Sequence, residues 1–421
     1  MNPVRSEVKR IVLSALLLAA CGVSAPAFAQ NAPAQSQCAE DKKAQGTMSE
    51  AVYHGVTEAT KLLGEKKTQD AIDKLTKLAN EGSDFDKAVV YYNLGFAHSS
   101  RNDYASATKA FARALELKSL PSQQHEQLMF NLGQLYVVAQ QHDEGIKVLQ
   151  EYIATACKPP AAEAHIFLAN ALVEKKRFKE ALPQIDLAIS KASRPNQSWY
   201  EMKLAVAYEM KDYKACAQML VALIGMAPTK PEYWKQLSSM FFEMKSDMEA
   251  LAVLALADRQ GYIDKPNERK NLYNVYMMLD LPFKAGMYMQ DAIDKGKLPP
   301  DESNLESVAD AWINARELAR AEATLKKLAA ASEKGEYFFK LGAMYGDNER
   351  WKESREMLTK AIEKGGLKRQ GEAWMRLAVA AYSLKDQQAA ISALQKAMTF
   401  DETRKQAGEW LRHLNGSSAS S

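Results

Sequence analysis

The segment HEQLM, from His125 to Met129, is the nearest approach in this chain to a catalytic metal motif. A zinc-protease helix of the HExxH type needs two imidazoles one turn apart, so that both can bind the same metal ion. Met129 stands where the second histidine would be. The chain also has no GxxxxGK[ST] phosphate loop and no GxSxG nucleophile elbow. We therefore expect a protein that is not an enzyme and has neither a cofactor nor a metal site.

Methionines offer a second kind of chemistry. Met240, Met244 and Met248 are four residues apart, which predicts that they lie on one helix face. Thioethers are soft ligands that could hold Cu(I). They also fill irregular gaps between packed helices. Met289 falls at a predicted core position, which favours packing, and a metal-binding module stays the less favoured alternative.

The first 29 residues predict export from the cytoplasm. A basic start, a short apolar run and small residues at Ala27 and Ala29 form a secretory signal peptide, which is too short to span a bilayer as a helix. The sequence LAAC, ending at Cys21, also resembles a lipoprotein signal, in which Cys21 would be lipidated and would anchor the chain to a membrane. Either reading places the protein in a bacterial envelope, with the periplasm favoured.

Without this leader the chain has a net charge of about +1, since three basic residues and one acidic residue are removed from a total of +3. A near-neutral chain lacks the basic surface that nucleic-acid binding requires. Beyond the leader the cysteines are Cys38, Cys157 and Cys216, with no CxxC pair. Cys216 falls at a position that requires a small buried residue. Whether Cys38 and Cys157 form a disulfide is left open.

A repeated spacing then accounts for most of the chain. A large apolar residue is followed thirteen positions later by a small one, as in Leu94 and Ala107, and then by Phe111 and Ala114. Eight pairs share the thirteen-residue interval, and Leu204/Cys216 indicates a ninth copy with a turn one residue shorter. A degenerate tenth copy precedes them. Apolar stripes at this spacing predict two antiparallel helices in each unit.

This pattern is similar to the tetratricopeptide repeat, whose unit carries large–small, alanine, aromatic or leucine, and alanine at these offsets. The resemblance covers roughly residues 50–400. It implies an all-α fold, a right-handed superhelical solenoid of about ten helix–turn–helix repeats with a C-terminal capping helix. The expected organisation is a signal peptide at 1–29, a flexible segment at 30–48, the solenoid at 49–400, the capping helix at 401–415 and a disordered tail at 416–421.

The same resemblance implies that the first helix of each repeat lines a concave groove that binds a protein partner. Positions two before and two after the large residue would face that groove, and they predict the following contact residues: Tyr92, Phe96, Phe130, Gln134, Ile166, Asn170, Lys270 and Asn274. The early repeats present aromatic groups suited to an extended or helical peptide. Alternatively, neighbouring helices or the N-terminal segment cover Tyr92, Phe96 and Phe130.

The C-terminal stretch resembles periplasmic repeat proteins encoded beside ExbB, ExbD and TonB. The resemblance depends on GGLKRQGEAW, AYSLKDQQAAISALQKA and QAGEWLRHL, within about fifty residues. It implies an interaction scaffold that assists TonB-dependent energy transduction and nutrient uptake, with TonB, ExbB or ExbD as partners. An envelope-assembly scaffold, of the pilus or outer-membrane lipoprotein type, is the alternative. Membrane contact would occur only through partners or a lipidated Cys21.

Overall fold

A computed structural model describes residues 47–194, 196–332 and 334–418, with side chains described as far as Leu414. These residues form helices joined by short turns, with no strand among them. No helix in this part of the chain is both long and apolar enough to cross a bilayer. The predicted signal peptide, Cys21, Cys38 and most of the predicted flexible segment lie outside the described residues.

The chain divides into two compact units, Met1–Ala250 and Leu251–Ser421. The helices that begin in the first unit are α1 (Glu50–Gly64), α2 (Thr68–Leu78), α3 (Asp84–Ser100), α4 (Tyr104–Glu116), α5 (Ser122–Val138), α6 (His142–Thr155), α7 (Ala162–Glu174), α8 (Phe178–Lys191), α9 (Gln197–Glu209), α10 (Tyr213–Met226), α11 (Pro231–Glu243) and α12 (Asp247–Arg259). The second unit contains α13 (Pro266–Met278), α14 (Pro282–Asp294), α15 (Glu302–Asn314), α16 (Leu318–Ala331), α17 (Gly335–Asp347), α18 (Trp351–Lys364), α19 (Gln370–Ser383), α20 (Gln387–Ala397) and α21 (Arg404–Ser418).

One turn geometry recurs ten times among the described residues. In each case the residue two positions before the second helix of a pair has a positive φ, between 55° and 64°. The ten residues are Lys66, Asn102, Gln140, Lys176, Lys211, Lys245, Asp280, Arg316, Glu349 and Lys385. A single left-handed residue reverses the chain within three residues, so that the two helices of a pair can pack antiparallel. The predicted all-helical fold of about ten repeats is confirmed.

The large–small pattern works by letting the paired helices approach closely. Leu94, Ala107, Phe111 and Ala114 are all buried, each 5% exposed or less. At Gly133, an added Cβ atom would lie 2.6 Å from Cδ2 of Leu149 on the partner helix. The backbone of α5 therefore packs directly against the side chains of α6, as the spacing predicted.

The prediction of a shorter turn between Leu204 and Cys216 is wrong. The turn from α9 to α10 is three residues long, like the other turns, and Lys211 is its residue in the left-handed conformation. Lys203 therefore occupies the large position, thirteen residues before Cys216. Its aliphatic stem is largely covered, with 19% of the side chain exposed, while its Nζ lies 2.5 Å from Oδ1 of Asp186 on α8. A lysine can fill an apolar position in this way because its charge extends beyond the stem.

The capping helix also differs from its predicted limits. The last helix, α21, begins at Arg404 and continues through Ser418, so it extends into the stretch predicted to be disordered. Ala407 and Leu414 are buried in a cluster with Ala378 and Leu394 of the preceding helix pair. The side chains of Trp410 and Leu411 pack against that cluster. These four residues of α21 form its apolar side, and that side packs against the preceding helix pair.

Candidate partner-binding surfaces

Tyr92 and Phe96 lie together on α3. Their rings meet edge to face with centroids 4.9 Å apart, and both contact the buried ring of Phe111 on α4. Burial raises the pKa of the Tyr92 hydroxyl. Phe96 remains 40% exposed. The pair is thus half packed and half open, and Phe96 is the ring that a partner can reach.

Phe130 is placed differently. Its ring stacks on Tyr152 of α6 at 5.5 Å and meets Phe167 of α7 edge to face at 6.4 Å. It packs against a cluster that includes Leu149 and Leu168. Covering by neighbouring helices, the alternative left open by the sequence, therefore applies to much of Phe130. Gln134, Ile166 and Asn170 are each half-buried.

Lys270 and Asn274 belong to the second unit, on α13. The Nζ atom of Lys270 donates a hydrogen bond to Oγ of Ser303 on α15, 2.7 Å away. Asn274 is exposed. Lys270 therefore links two first helices, while Asn274 faces solvent.

A cavity of about 450 Å³ lies between α9 and α11 in the first unit. With Lys203 at the large position, Glu201 and Ala205 are the residues two before and two after it, and Ser239 is the equivalent residue of α11. The cavity is lined by all three, together with Leu204, Tyr208, Leu220, Gln236 and Met240. It opens on the first-helix face, by which we mean the surface formed by these −2 and +2 positions. Ala205 and Tyr208 are exposed there.

The polar side of this cavity is fixed by contacts between repeats. Tyr233 donates a hydrogen bond to Oε1 of Glu201, and Nζ of Lys230 lies 3.2 Å from the same oxygen. The hydrogen bonds from Tyr233 and Gln197 lower the pKa of Glu201, so its carboxylate stays ionised. The cavity therefore combines an apolar floor with a carboxylate at its edge that is already paired with Lys230.

Sequence reasoning missed Glu201 and Ala205 because it placed Leu204 one position too early in the repeat. A strict thirteen-residue interval counted back from Cys216 reaches Lys203, and the positions two before and two after it are Glu201 and Ala205. Tyr208 is five residues after Lys203, so it lies outside the −2 and +2 positions. The lysine hid the register because it was not recognised as a filler of an apolar position.

A second cavity, of about 730 Å³, lies on the first-helix face of the second unit, between α15, α17 and α19. Ion pairs cross it: Lys340 Nζ lies 2.7 Å from Asp310, and Arg376 lies 2.9 Å from both Asp347 and Glu372. Burial acts to lower the pKa of Lys340. The pKa is nevertheless raised, because Asp310 and Glu306 stabilise the charged ammonium. The charged groups of this cavity therefore form ion pairs with other residues of the same unit.

A third cavity, here called the α4–α6 cleft, has a volume of about 860 Å³ and lies over α5 between the second helices α4 and α6. His125 and Glu126 of the HEQLM segment line it, together with Met129, which is almost fully buried. Burial lowers the pKa of His125. Oε1 of Glu126 accepts a hydrogen bond from the backbone N–H of Cys157 at 2.9 Å. The glutamate therefore positions the loop after α6.

The predicted methionine face does not form. α11 ends at Glu243, Met244 follows it, and Met248 lies on the next helix, α12. Met240 is buried at 6% exposure whereas Met248 is 58% exposed. Because a turn separates them, the three thioethers do not share one helix face, and the prediction of a single face is wrong. Met289 is fully buried in the core of the second unit, as predicted.

The sequence profile of the tetratricopeptide repeat matches residues 85–162, 130–197 and 339–404. The matched segments lie in both units of the chain. A comparison with curated protein sequences finds no significant match.

Several solved structures are similar to parts of the chain. MamA from Desulfovibrio magneticus RS-1 is 16% identical over 44% of this chain and 98% of its own, with a TM-score of 0.37. YrrB, described as a TPR protein with an unusual peptide-binding site, is 18% identical over 44% of this chain and 90% of its own, with a TM-score of 0.36. A tetratricopeptide repeat protein from Parabacteroides merdae ATCC 43184 is 14% identical over 61% of this chain and 99% of its own, with a TM-score of 0.31. Sequence identities and TM-scores of this size do not indicate a shared function.

Proposed function

We propose that this protein is an exported interaction scaffold that binds a peptide segment of a partner protein on the first-helix face of its N-terminal unit. The observation that carries this proposal is the open cavity between α9 and α11. Tetratricopeptide repeats are built from first helices that present one continuous face, and such a face suits an extended or helical segment.

The lining of the cavity defines the chemistry of the bound segment. Leu204, Leu220 and Met240 provide an apolar floor, and Tyr208 stands at its edge with 55% of its surface exposed. Glu201 is already paired with Lys230, so it fixes the edge of the cavity and does not offer a free charge. A large apolar side chain complements this arrangement, because it loses contact with water on the apolar floor. Phe96 offers a further apolar contact on the same unit.

The cellular setting of the proposal comes from the sequence. The leader supports export to the periplasm, or attachment to a membrane through Cys21. The C-terminal resemblance supports a role beside TonB, ExbB and ExbD in nutrient uptake. The cavity of the second unit supports partner binding less well, since Lys340 and Arg376 are already paired with carboxylates of the same unit.

The test is crosslinking in intact cells followed by affinity purification of the tagged protein. Ala205→Trp should fill the cavity without disturbing the core, because Ala205 is exposed. We expect it to reduce partner recovery at least tenfold, and Phe96→Glu to reduce it as well. Ala105→Trp, which places the same bulk on an exposed alanine of the second helix α4, is the matched control and should leave recovery unchanged.

The outcomes separate the alternatives. Recovery of TonB, ExbB or ExbD that is lost in Ala205→Trp supports the whole proposal. Recovery of pilus or outer-membrane assembly proteins without any TonB component overturns the energy-transduction role and favours the envelope-assembly scaffold. Equal recovery with Ala205→Trp and Ala105→Trp overturns binding at the α9–α11 cavity.

A further inference from the structure

An arginine stacked on aromatic rings lies at the surface of the second unit, between the second helices α14 and α16. The guanidinium carbon of Arg320, on α16, is 4.7 Å from the ring centroid of Trp312 and 5.5 Å from that of Phe283. Nη1 of Arg320 also donates a hydrogen bond to Sδ of Met287 at 2.9 Å. These three contacts restrict the orientation of the guanidinium, while 46% of the arginine side chain stays exposed.

Two exposed apolar side chains border this arginine. Phe283 and Met287 are one helical turn apart on α14, so they share one helix face, and they are 47% and 45% exposed. The backbone of α14 packs closely on Trp312, because a Cβ atom added to Gly286 would lie 2.8 Å from Cε3 of that ring. The exposed phenylalanine and methionine therefore lie on a tightly packed base.

The other arginines that stack on rings in the described part of the chain are paired with carboxylates. Arg350 lies 4.3 Å from the centroid of a tyrosine ring, and its Nη1 is 2.8 Å from Oε2 of Glu322. Arg369 lies 5.9 Å from the centroid of a phenylalanine ring, and its Nη1 is 2.8 Å from Oε2 of Glu372. Stacking thus leaves the N–H groups of an arginine free to bind a carboxylate, and both arginines use them in this way.

Arg320 has no such partner among the described residues. The carboxylate nearest to its guanidinium is that of Glu317, whose Oε2 is 3.9 Å from Nε, which is beyond hydrogen-bonding distance. The sulfur atom of Met287 is only a weak acceptor. Most of the five N–H donors of Arg320 are therefore available to a carboxylate from another molecule.

We propose that Arg320, Phe283 and Met287 form a docking surface, here called the Arg320 surface. It binds a segment of a partner protein that carries an aspartate or glutamate beside a large apolar side chain. The carboxylate accepts two parallel hydrogen bonds from the guanidinium, and the apolar side chain covers Phe283 and Met287.

The charge of Arg320 selects this partner. A basic segment would repel the guanidinium, and a neutral one would cover it without compensating its charge. Arginine, aromatic residues and methionine are also the residue types enriched in protein interfaces. The Arg320 surface belongs to second helices of the second unit, so it is separate from the α9–α11 cavity of the first unit.

The test measures binding of the full chain to an array of short synthetic peptides. Each peptide carries one aspartate or glutamate within one helical turn of a phenylalanine or leucine, and a matched set carries asparagine or glutamine instead. We expect the acidic set to bind at least about tenfold more tightly than the amide set, because only a carboxylate compensates the guanidinium. Equal binding of the two sets, or no binding of either, would overturn the proposal.

Variants then locate the binding. Arg320→Ala should weaken binding of the acidic set at least about tenfold, and Arg320→Lys should restore only part of it, since lysine lacks the planar fork. Phe283→Ser should also weaken binding. Arg350→Ala is the matched control, because it removes a ring-stacked arginine whose N–H groups are already paired. Equal effects of Arg320→Ala and Arg350→Ala would overturn the assignment.

Phosphatidylglycerol vesicles distinguish a protein partner from a membrane, since an anionic lipid headgroup also pairs with arginine. We expect the full chain not to sediment with these vesicles. Sedimentation that is lost in Arg320→Ala, without binding of the acidic peptides, would overturn the proposal in favour of a lipid surface. Ala205→Trp should leave peptide binding at the Arg320 surface unchanged, so this proposal and the α9–α11 site can fail separately.

Discussion

At the scale of single residues, the small residue thirteen positions after the large one can form a hydrogen bond as well as allow close packing. Ser354 occupies this position in one repeat and donates a hydrogen bond from Oγ to the backbone oxygen of Gly342 at 2.8 Å. Cys216 occupies it in another, with Sγ 3.8 Å from the backbone oxygen of Leu204. Both acceptors follow the large position of the first helix. A small polar tip therefore satisfies its own hydrogen-bonding need while the helices remain close.

Cys216 makes the stability of the first unit depend on pH in alkaline solution. Burial raises the pKa of its thiol from 9.0 to about 11. Between these values the unfolded chain loses the proton while the folded chain keeps it, so stability falls as the pH rises. We expect a loss of up to about 2–3 kcal/mol, since each pKa unit corresponds to about 1.4 kcal/mol.

Urea unfolding at pH 8 and pH 11 measures this effect. Cys216→Ala is a suitable control, because alanine fills the same position at Ala107, Ala181 and Ala250. Other groups, such as Tyr273, whose pKa burial raises to about 12, contribute equally to both proteins. If both proteins lose the same stability, the buried thiol is not responsible.

At the scale of helices, one polar contact between repeats occurs twice within the described part of the chain. Glu201 accepts a hydrogen bond from Tyr233 and pairs with Lys230, three residues before that tyrosine. Glu302 accepts one from Tyr337 and pairs with Lys334, again three residues before it. Both tyrosines are buried, and their hydrogen bonds to the glutamates connect consecutive first helices. In the first unit this contact also fixes the edge of the α9–α11 cavity.

Close approach of paired helices predicts opposite effects for two Gly→Ala changes. Gly133→Ala places a methyl group 2.6 Å from Leu149. Overpacking of this kind costs about 1–3 kcal/mol, partly offset by about 1 kcal/mol of helix propensity. We expect a net loss of up to about 2 kcal/mol in the free energy of unfolding.

Gly64→Ala is the matched change, since nothing lies within 4 Å of a Cβ atom added there. It should stabilise the protein by up to about 1 kcal/mol, because alanine orders the end of α1 more readily. Chemical denaturation of both variants checks the prediction. Equal and positive effects would show that α5 can move away from α6 without cost.

At the scale of the whole molecule, a repeat protein gains its stability from contacts between neighbours, so its ends need a cap. In the second unit α21 supplies that cap through Ala407 and Leu414. Its removal would expose Met375 and Leu394 to water. The cap should therefore protect the last repeat and have little effect on distant ones.

Ala407→Asp tests this arrangement. A carboxylate at a fully buried site should destabilise the last repeat by at least about 2 kcal/mol. Hydrogen exchange should accelerate in α19 and α20 and stay unchanged in α3 to α6. Lys405→Asp, on the exposed side of the same helix, is the control. Uniform acceleration along the chain would mean that the cap governs more than its neighbours.

The sequence by itself determined the helix pairs, their number and the close packing of large and small residues. These features depend on periods of three, four and thirteen residues, which are local and can be read along the chain. Tyr92 and Phe96 share one face of α3 for the same reason, because they are one helical turn apart.

The tertiary structure decided what depends on neighbours far along the chain. Lys203 takes an apolar position because Asp186, on another helix, receives its charge. Phe130 is largely covered because Tyr152 and Phe167 come from two further helices. The α9–α11 cavity also depends on distant neighbours, since its residues come from two repeats, and those on α9 are recognised only in the corrected register. Spacing along one chain cannot show how the side chains of separate helices share space, and partner-binding surfaces are made at that level.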